Sequence, residues 1–384
     1  MKTRKLERMS LPKNFDAFIG NRATIDSLRA SIAVGKLPHS LIILGARGAG
    51  KYTLALMLTM ALECQQQPRE QDQDGRNLAT FCGVCANCTR IAESAELDAK
   101  VVEAVAAREE MRETDKKDTR VLVQTHPDVL VIPPDPPQLM IKLGQVRTII
   151  QRSHYLPTEA PAKVFLITSA AFMKEAANSL LKVLEEPPPY VHIILLAENL
   201  GELLPTIRSR CAVAHLGALP VEEIAALLTV HRPEWSKSER DLAARLSEGA
   251  FGRAVGFELK EYAAARNDAL TILGTAESSR DHSALFRMTE TYRAGAEGQA
   301  KTVALLRALS SVLEDVLLLQ AGAAERVRNV DKRAELQRYA DTFDFSWLET
   351  AVRGLDQVQS GMRRNLLRSL SLDAFAGELE GVRR

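Results

Sequence analysis

Along the first 217 residues, short and uniformly apolar runs alternate with segments whose apolar positions recur every three to four residues. SLIILGA (40–46), DVLVI (128–132), KVFLIT (163–168), HIILLA (192–197) and AVAHL (212–216) are too short for helices. Their unbroken apolar character predicts strands buried on both faces, as in a parallel sheet. Between them lie helical patterns such as KEAANSLLKVLEE (174–186), stopped by Pro187, Pro188 and Pro189. Strand–helix alternation of this kind predicts an α/β domain with helices on both faces of the sheet. Beyond Leu219 the strand-like runs vanish, and VEEIAALLTV (221–230) and AKTVALLRALSSVLEDVLLLQ (300–320) carry the 3.6 period of amphipathic helices. Gly249 and Gly252 mark a turn within this helical half. The expected organisation is an α/β domain over 1–218, a small helical domain over 219–275 and a larger one over 276–384.

Two polar stretches interrupt the α/β pattern. QQQPREQDQDGRNLAT (65–80) reads as a loop, and the mixed charges of AREEMRETDKKDTR (107–120), within 91–124, read as a solvated helix or flexible insertion. Neither suggests chemistry.

Composition narrows the classes. Fifty Lys+Arg against 49 Asp+Glu give a formal charge of +1, which excludes a general coat for polyanions but permits local basic patches. At 46% hydrophobic and 26% charged residues, the chain is neither disordered throughout nor a disulfide-dense scaffold. Aromatics at 5% weigh against a surface that stacks single-stranded bases. No run reaches the roughly 18 apolar residues of a membrane span. MKTRKLERMSLPKNF is basic, but no apolar core follows it, so it does not read as a secretory signal. A cytoplasmic protein is expected.

Three of the five cysteines, Cys82, Cys85 and Cys88, form C-x-x-C-x-x-C. Thiolates at that spacing turn around one ion, and a fourth closes the tetrahedron. Cys64 is the nearest candidate, whereas Cys211 lies far along the chain. The expectation is a structural Zn²⁺ on Cys64, Cys82, Cys85 and Cys88, with no open position for substrate.

Gly45-Ala46-Arg47-Gly48-Ala49-Gly50-Lys51 fits G-x-x-x-x-G-K between a predicted strand and a predicted helix. Gly45, Gly48 and Gly50 would let backbone N–H groups wrap phosphates, and Lys51 would reach the outer ones. The next residue, where a Ser or Thr should hold Mg²⁺, is Tyr52; Thr53 follows, turned about 100° around the helix. The strand KVFLI, which should end in the acids that hold metal and orient water, continues into Thr168 and Ser169. ATP or ADP binding is expected at Gly45, Gly48, Gly50, Lys51 and Thr53, and hydrolysis is not.

GKLPHSLIILGARGAGK, the cysteine module, THPDVLVI, AAFMKEAANSLLKVLEEPP and TIRSRC occur in this order over the first 220 residues. Together they resemble the bacterial clamp-loader AAA+ family of DNA polymerase III. The resemblance implies an AAA+ parallel-sheet domain with an inserted zinc module, then an all-helical lid and an all-helical collar. RRNLLRSLSLDAF resembles the collar's last helix. The family's SRC arginine maps to Arg210, which the resemblance implies is an arginine finger reaching a neighbour's ATP; taken alone, Arg210 reads as a surface arginine at a helix end. A second sensor arginine is expected where Gly252 stands, with Arg253 one place on, and Asn199 lies near the first sensor position.

These departures from the ATPase pattern imply a stator subunit. It would work with gamma/tau and delta subunits, and through the complex with the beta sliding clamp and primed DNA. The alternative is an active gamma/tau-like ATPase; a stand-alone nucleic-acid binder is disfavoured by charge and aromatic content. His126 reads as packing at the start of a strand. Glu185 and Glu186, adjacent and so facing different ways, read as helix-end and subunit contacts. Trp235 and Trp347 read as packing.

Overall fold

The computed structural model describes residues 11–112, 115–116, 119–278, 282–293, 295–363 and 367–382. Residues 1–10 of the basic N-terminal stretch, Arg364–Leu366 of RRNLLRSLSLDAF, and Glu113, Thr114, Lys117 and Asp118 of the charge run lie outside the described residues. The chain divides into two compact units, 1–220 with 248–253, and 221–247 with 254–384.

The first unit is built on β1 (Ser40–Leu44), β4 (Val123–His126), β5 (Val129–Ile132), β6 (Lys163–Ile167), β7 (Val191–Ala197) and β8 (Ala212–His215). A separate hairpin joins β2 (Arg69–Gln71) to β3 (Asn77–Ala79). The large sheet runs β4-β5-β6-β7-β1-β8, parallel except that β4 pairs antiparallel with β5. Period-two alternation accounts for the two cores. Leu41, Ile43, Val164 and Leu166 face one, with Leu54, Met57 and Leu58 of α2 (Lys51–Glu63). Ile42, Leu44, Phe165 and Ile167 face the other, with Ala176, Leu180 and Leu184 of α6 (Lys174–Glu185). Among the described residues this unit also contains the helices α1 (Arg22–Ala33), α3 (Ala86–Ala92), α4 (Leu97–Glu109), α5 (Leu143–Ser153) and α7 (Pro205–Arg208).

Three strands escaped the sequence reading. Residues 65–80 are not a plain loop but contain the β2–β3 hairpin. Its turn is shaped by Asp72, whose Oδ1 accepts N–H bonds from Asp74 and Arg76, and by Gly75 at φ +74°. The buried Arg29 of α1 docks the hairpin. Its Nε donates to Ala79 O (3.1 Å), Nη1 to Asp26 (3.0 Å) and Nη2 to Glu70, and it lies over the Phe15 ring. Strand β4 also went unread. Helix α4, which has no buried residues, holds only the first three residues of the charge run (107–109) and is pinned near that end where Arg108 Nη1 donates to Asp135 (2.7 Å).

The second unit, among the described residues, is entirely helical, as the 3.6 period predicts: α8 (Val221–His231), α9 (Lys237–Leu246), α10 (Phe251–Val255, whose first three residues belong to the first unit), α11 (Leu259–Ser278), α12 (Ser283–Glu290), α13 (Gly295–Gln320), α14 (Arg333–Thr342), α15 (Phe345–Arg363) and α16 (Arg368–Val382). Helix α11 continues through residue 275, so the boundary expected there falls inside one helix. Trp347 packs as expected. It stacks on Phe343 at 3.7 Å, and its indole N–H donates to Leu379 O (2.9 Å). A buried polar network fixes the segment after α13: Asp315 accepts from the backbone N–H of Arg328 (2.8 Å) and Asn329 (2.7 Å), and Arg266 forks onto Asp331.

Two outcomes follow for the first unit. Replacing Arg29 by Leu strands the Ala79 carbonyl and two carboxylates, so R29L is expected to lose about 3 kcal/mol in equilibrium urea unfolding; a loss below about 0.5 kcal/mol would show that the hairpin docks without it. His192 of β7 stacks on His39 at 5.0 Å. Burial, above all, holds its imidazole below the ordinary value; the Pro38 carbonyl draws it back up and His39 pushes it down. Above about pH 6.5 both states are neutral, and below it the unfolded chain takes up a proton that the folded chain resists. Stability should therefore fall as pH drops from 6.5, and more steeply than in H192Q; parallel pH curves of the urea midpoint would exclude this.

Candidate functional site

The glycine loop leaves the C-terminal end of β1 and runs into α2. Gly45 N–H donates to Ala197 O of the neighbouring β7 (3.2 Å), and a Cβ on Gly45 would sit 2.9 Å from Leu216 O. Gly48 (φ +85°) and Gly50 (φ +87°) occupy the left-handed region, which costs an L side chain about 1–2 kcal/mol. Space is also denied them. A Cβ on Gly48 would meet Arg253 N at 2.7 Å, and one on Gly50 would meet Phe18 Cζ at 2.9 Å.

Lys51 is half-buried and turned back onto its own loop. Its Nζ donates to Gly45 O (2.7 Å) and Ala46 O (2.9 Å). Burial, foremost, draws its pKa below the lysine value; the Glu198 and Glu202 carboxylates oppose this, and Arg47 adds to it. The cation thus waits at the loop mouth, bound only to carbonyls that a phosphate would outbid.

Around this loop, the polar groups that should manage metal and water are engaged elsewhere. The Tyr52 hydroxyl donates to Ser94 O (2.6 Å), and Ser94 Oγ lies 2.7 Å from Thr125 Oγ1 of β4. Burial pushes the Tyr52 phenol far above its usual pKa. Thr53 follows in the first turn of α2, half-buried. At the end of β6, Thr168 N–H donates to Ile132 O (3.0 Å), and Ser169 Oγ accepts from Ala171 N–H (3.1 Å). Asn199, past the end of β7, uses its Oδ1 to accept Gly201 N–H (2.8 Å), capping the short helix Leu200–Glu202. Where the second sensor arginine was expected, Gly252 N–H donates to Gly48 O (3.0 Å), and Arg253 turns to Glu248 (2.7 Å).

The four predicted ligand cysteines come together. The sulfurs of Cys64, Cys82, Cys85 and Cys88 all lie within 4.8 Å of one another, with no disulfide among them. A tetrahedron with Zn–S bonds of about 2.3 Å has sulfur–sulfur edges of about 3.8 Å, so the four sulfurs lie within about 1 Å of the spacing that one zinc ion would set. Cys64 caps the C-terminus of α2, Cys82 follows β3, Cys85 is the N-cap of α3 and Cys88 lies in its first turn. Gly83 at φ +72° turns the chain between them. Backbone N–H groups point at the sulfurs: Cys82 N to Cys64 Sγ (3.4 Å), Cys85 N to Cys82 Sγ (3.3 Å) and Cys88 N to Cys85 Sγ (3.5 Å). Burial pushes the Cys85 thiol up, but the N–H groups of Cys88 and Gln65 and the Cys88 and Cys82 thiols outweigh it, bringing the thiol down to about 6. The donor set fits a thiolate-bound metal. Cys211 stands apart, half-buried, its thiol pushed up to about 11 by burial.

Arg210 lies just beyond α7. Its Nε donates to Glu185 Oε1 (2.6 Å), Nη2 contacts the same oxygen, and Nη1 donates to Thr206 O (2.8 Å) and Ser209 Oγ (3.2 Å). Glu185, read from sequence as a helix-end or subunit contact, is thus the partner of the candidate arginine within the chain. Its position before the three prolines was the only signal of a fixed helix end. His126 packs as expected. It is buried, its Nδ1 accepts Asp128 N–H (3.1 Å), and Asp128 in turn caps the N–H groups of Thr158, Glu159 and Ala160.

The family described as "DNA polymerase III, delta subunit" matches residues 20–220, and its C-terminal counterpart matches 260–370. The delta' subunit of Escherichia coli DNA polymerase III is 26% identical over 353 residues, 90% of this chain and 91% of that one. The Escherichia coli tau subunit is 28% identical over 220 residues, and the Mycobacterium tuberculosis gamma/tau subunit 28% over 224. Those matches cover 57% and 58% of this chain, but only 28% and 32% of the relatives' own length. The family model spans more than half of the chain, and the chain belongs to the DNA polymerase III delta-subunit family.

Proposed function

We propose that this chain is a delta-prime-type stator of a clamp loader, a subunit that turns over no nucleotide itself and lends Arg210 to the ATP of a neighbour. The observation that carries the reading is the fate of the groups around Lys51. The phenol of Tyr52 is spent on Ser94, the end of β6 offers Thr168 and Ser169 in place of acids, and Asn199 caps a local turn. Phosphoryl transfer depends on positioned metal, water and charge, and a site without those carboxylates loses orders of magnitude in rate. Arg210, by contrast, is partly exposed and always charged, with a planar fork suited to phosphate oxygens.

In this reading Gly45, Gly48, Gly50, Lys51 and Thr53 hold ATP or ADP without hydrolysing it. Lys51 exchanges the carbonyls of Gly45 and Ala46 for phosphate oxygens. Zinc on Cys64, Cys82, Cys85 and Cys88 supplies a cross-link between the end of α2, the hairpin and α3. The working partners are gamma/tau and delta subunits in the cytoplasm, with the beta sliding clamp and primed DNA reached through the complex. Residues 219–275 serve as the lid and 276–384 as the collar. The second reading, a gamma/tau-like ATPase, draws on the intact G-x-x-x-x-G-K loop.

The isolated chain should release no phosphate from Mg-ATP above background. R210A should lower hydrolysis by a complex reconstituted with the ATPase and delta subunits, within the roughly 10³–10⁵-fold range that trans-acting arginines supply per engaged site. Turnover by the isolated chain that disappears in K51A would establish the ATPase reading instead. Elemental analysis should find about one zinc per chain, and C85S should lose the metal and melt at lower temperature; full folding of metal-free protein would remove the structural role.

A further inference from the structure

Arg210 can fork onto a phosphate along its Nε/Nη2 edge or along its Nη1/Nη2 edge. Neither edge is open. The first is taken by Glu185 Oε1, and Nη1 is taken by Thr206 O and Ser209 Oγ, so these contacts use four of the five guanidinium N–H groups. Thr206 O is a backbone carbonyl one helical turn away and travels with the arginine. Glu185 is different. It is the last residue of α6, fixed ahead of Pro187, Pro188 and Pro189, and the only full charge among these contacts. Helix α6 and the Arg210 segment are separate elements, so the pair breaks whenever the guanidinium extends outward.

We propose that Glu185 is an intramolecular counter-anion that parks Arg210, and that an outer phosphate of a neighbour's nucleotide must displace it before the arginine can act. This deepens the donor role proposed above and rests on it. The pair suits such a use. With the arginine side chain 32% exposed and the carboxylate 46% exposed, it is strong enough to hold a resting position and weak enough to yield to a polyphosphate. Without the counter-anion, the arginine would sample outward positions freely and engage a neighbour's nucleotide less selectively. Glu185 is therefore a positioning residue, acting only through Arg210.

The test uses the reconstituted complex and an ATP titration. E185Q keeps the side-chain shape and removes the charge; it should lower the ATP concentration for half-maximal hydrolysis by about 1.5- to 5-fold, the range corresponding to a surface ion pair. E185D, which restores the charge on a shorter arm, should move that value back toward wild type. In the R210A background E185Q should have no effect, and isolated E185Q should melt like wild type. An unchanged or raised half-maximal concentration in E185Q, or the same shift persisting in R210A, overturns the parking role. Hydrolysis indifferent to R210A itself would instead overturn the donor reading, so the two failures are told apart.

Discussion

Burial of the central strands on both faces is the constraint from which the rest follows. β1, β5, β6 and β7 carry no side chain that can remain in water, so polar chemistry is confined to where those strands end. The glycine loop leaves β1 there, Thr168 and Ser169 leave β6, and Glu198 and Asn199 leave β7. Of these, Glu198, with Glu202 a turn further on, bears on Lys51. What a residue does there is decided by where its polar atoms bond: Thr168 Oγ1 reaches Ile132 O, Ser169 Oγ accepts Ala171 N–H and Asn199 Oδ1 accepts Gly201 N–H.

Tyr52 shows how one substitution changes the character of such a site. A small hydroxyl at the head of α2 could serve a metal, whereas a phenol is too long to stay at the loop mouth and too apolar to stay in water. It lies instead along the helix flank, with its hydroxyl on Ser94 O, and Ser94 reaches Thr125 of β4. The same helix ends in Cys64. Thirteen residues of α2, a rod of about 20 Å, thus join the glycine loop at one end to the cysteine cluster at the other, with Tyr52 bracing its first turn. A group that would have handled chemistry has become part of the frame.

What the sequence made legible was whatever depends on local spacing. Unbroken apolar runs marked five of the six strands of the main sheet, the G-x-x-x-x-G-K loop marked the cradle, and C-x-x-C-x-x-C with Cys64 marked the thiolate cluster. What it hid depends on distant partners. The β2–β3 hairpin has almost no apolar pattern, and it is held by Arg29, about forty residues earlier in the chain. Its turn residues Asp72 and Gly75 were the one local clue. The Tyr52–Ser94 bond spans 42 positions and the Arg210–Glu185 pair 25, and no periodicity encodes either. Paired carboxylates in LEEPP drew notice, but only the fold shows which one meets the arginine.

The junction of Gly48 with Gly252 carries the same logic to the mouth of the cradle. Two backbones approach so closely that a Cβ on Gly252 would lie 2.8 Å from Gly48 O, while a Cβ on Gly48 would strike Arg253 N. An arginine at 252 could not coexist with the Gly252 N–H bond to Gly48 O in this arrangement. The missing side chain is therefore more than an absent sensor. It is what allows the start of α10 to clasp the loop, and it turns Arg253 outward to Glu248. A cradle clasped by backbone at Gly48 and offering Thr168 and Ser169, rather than acids, at the end of β6 keeps the shape of a G-x-x-x-x-G-K loop, while the carboxylates of Glu198 and Glu202 bear on Lys51.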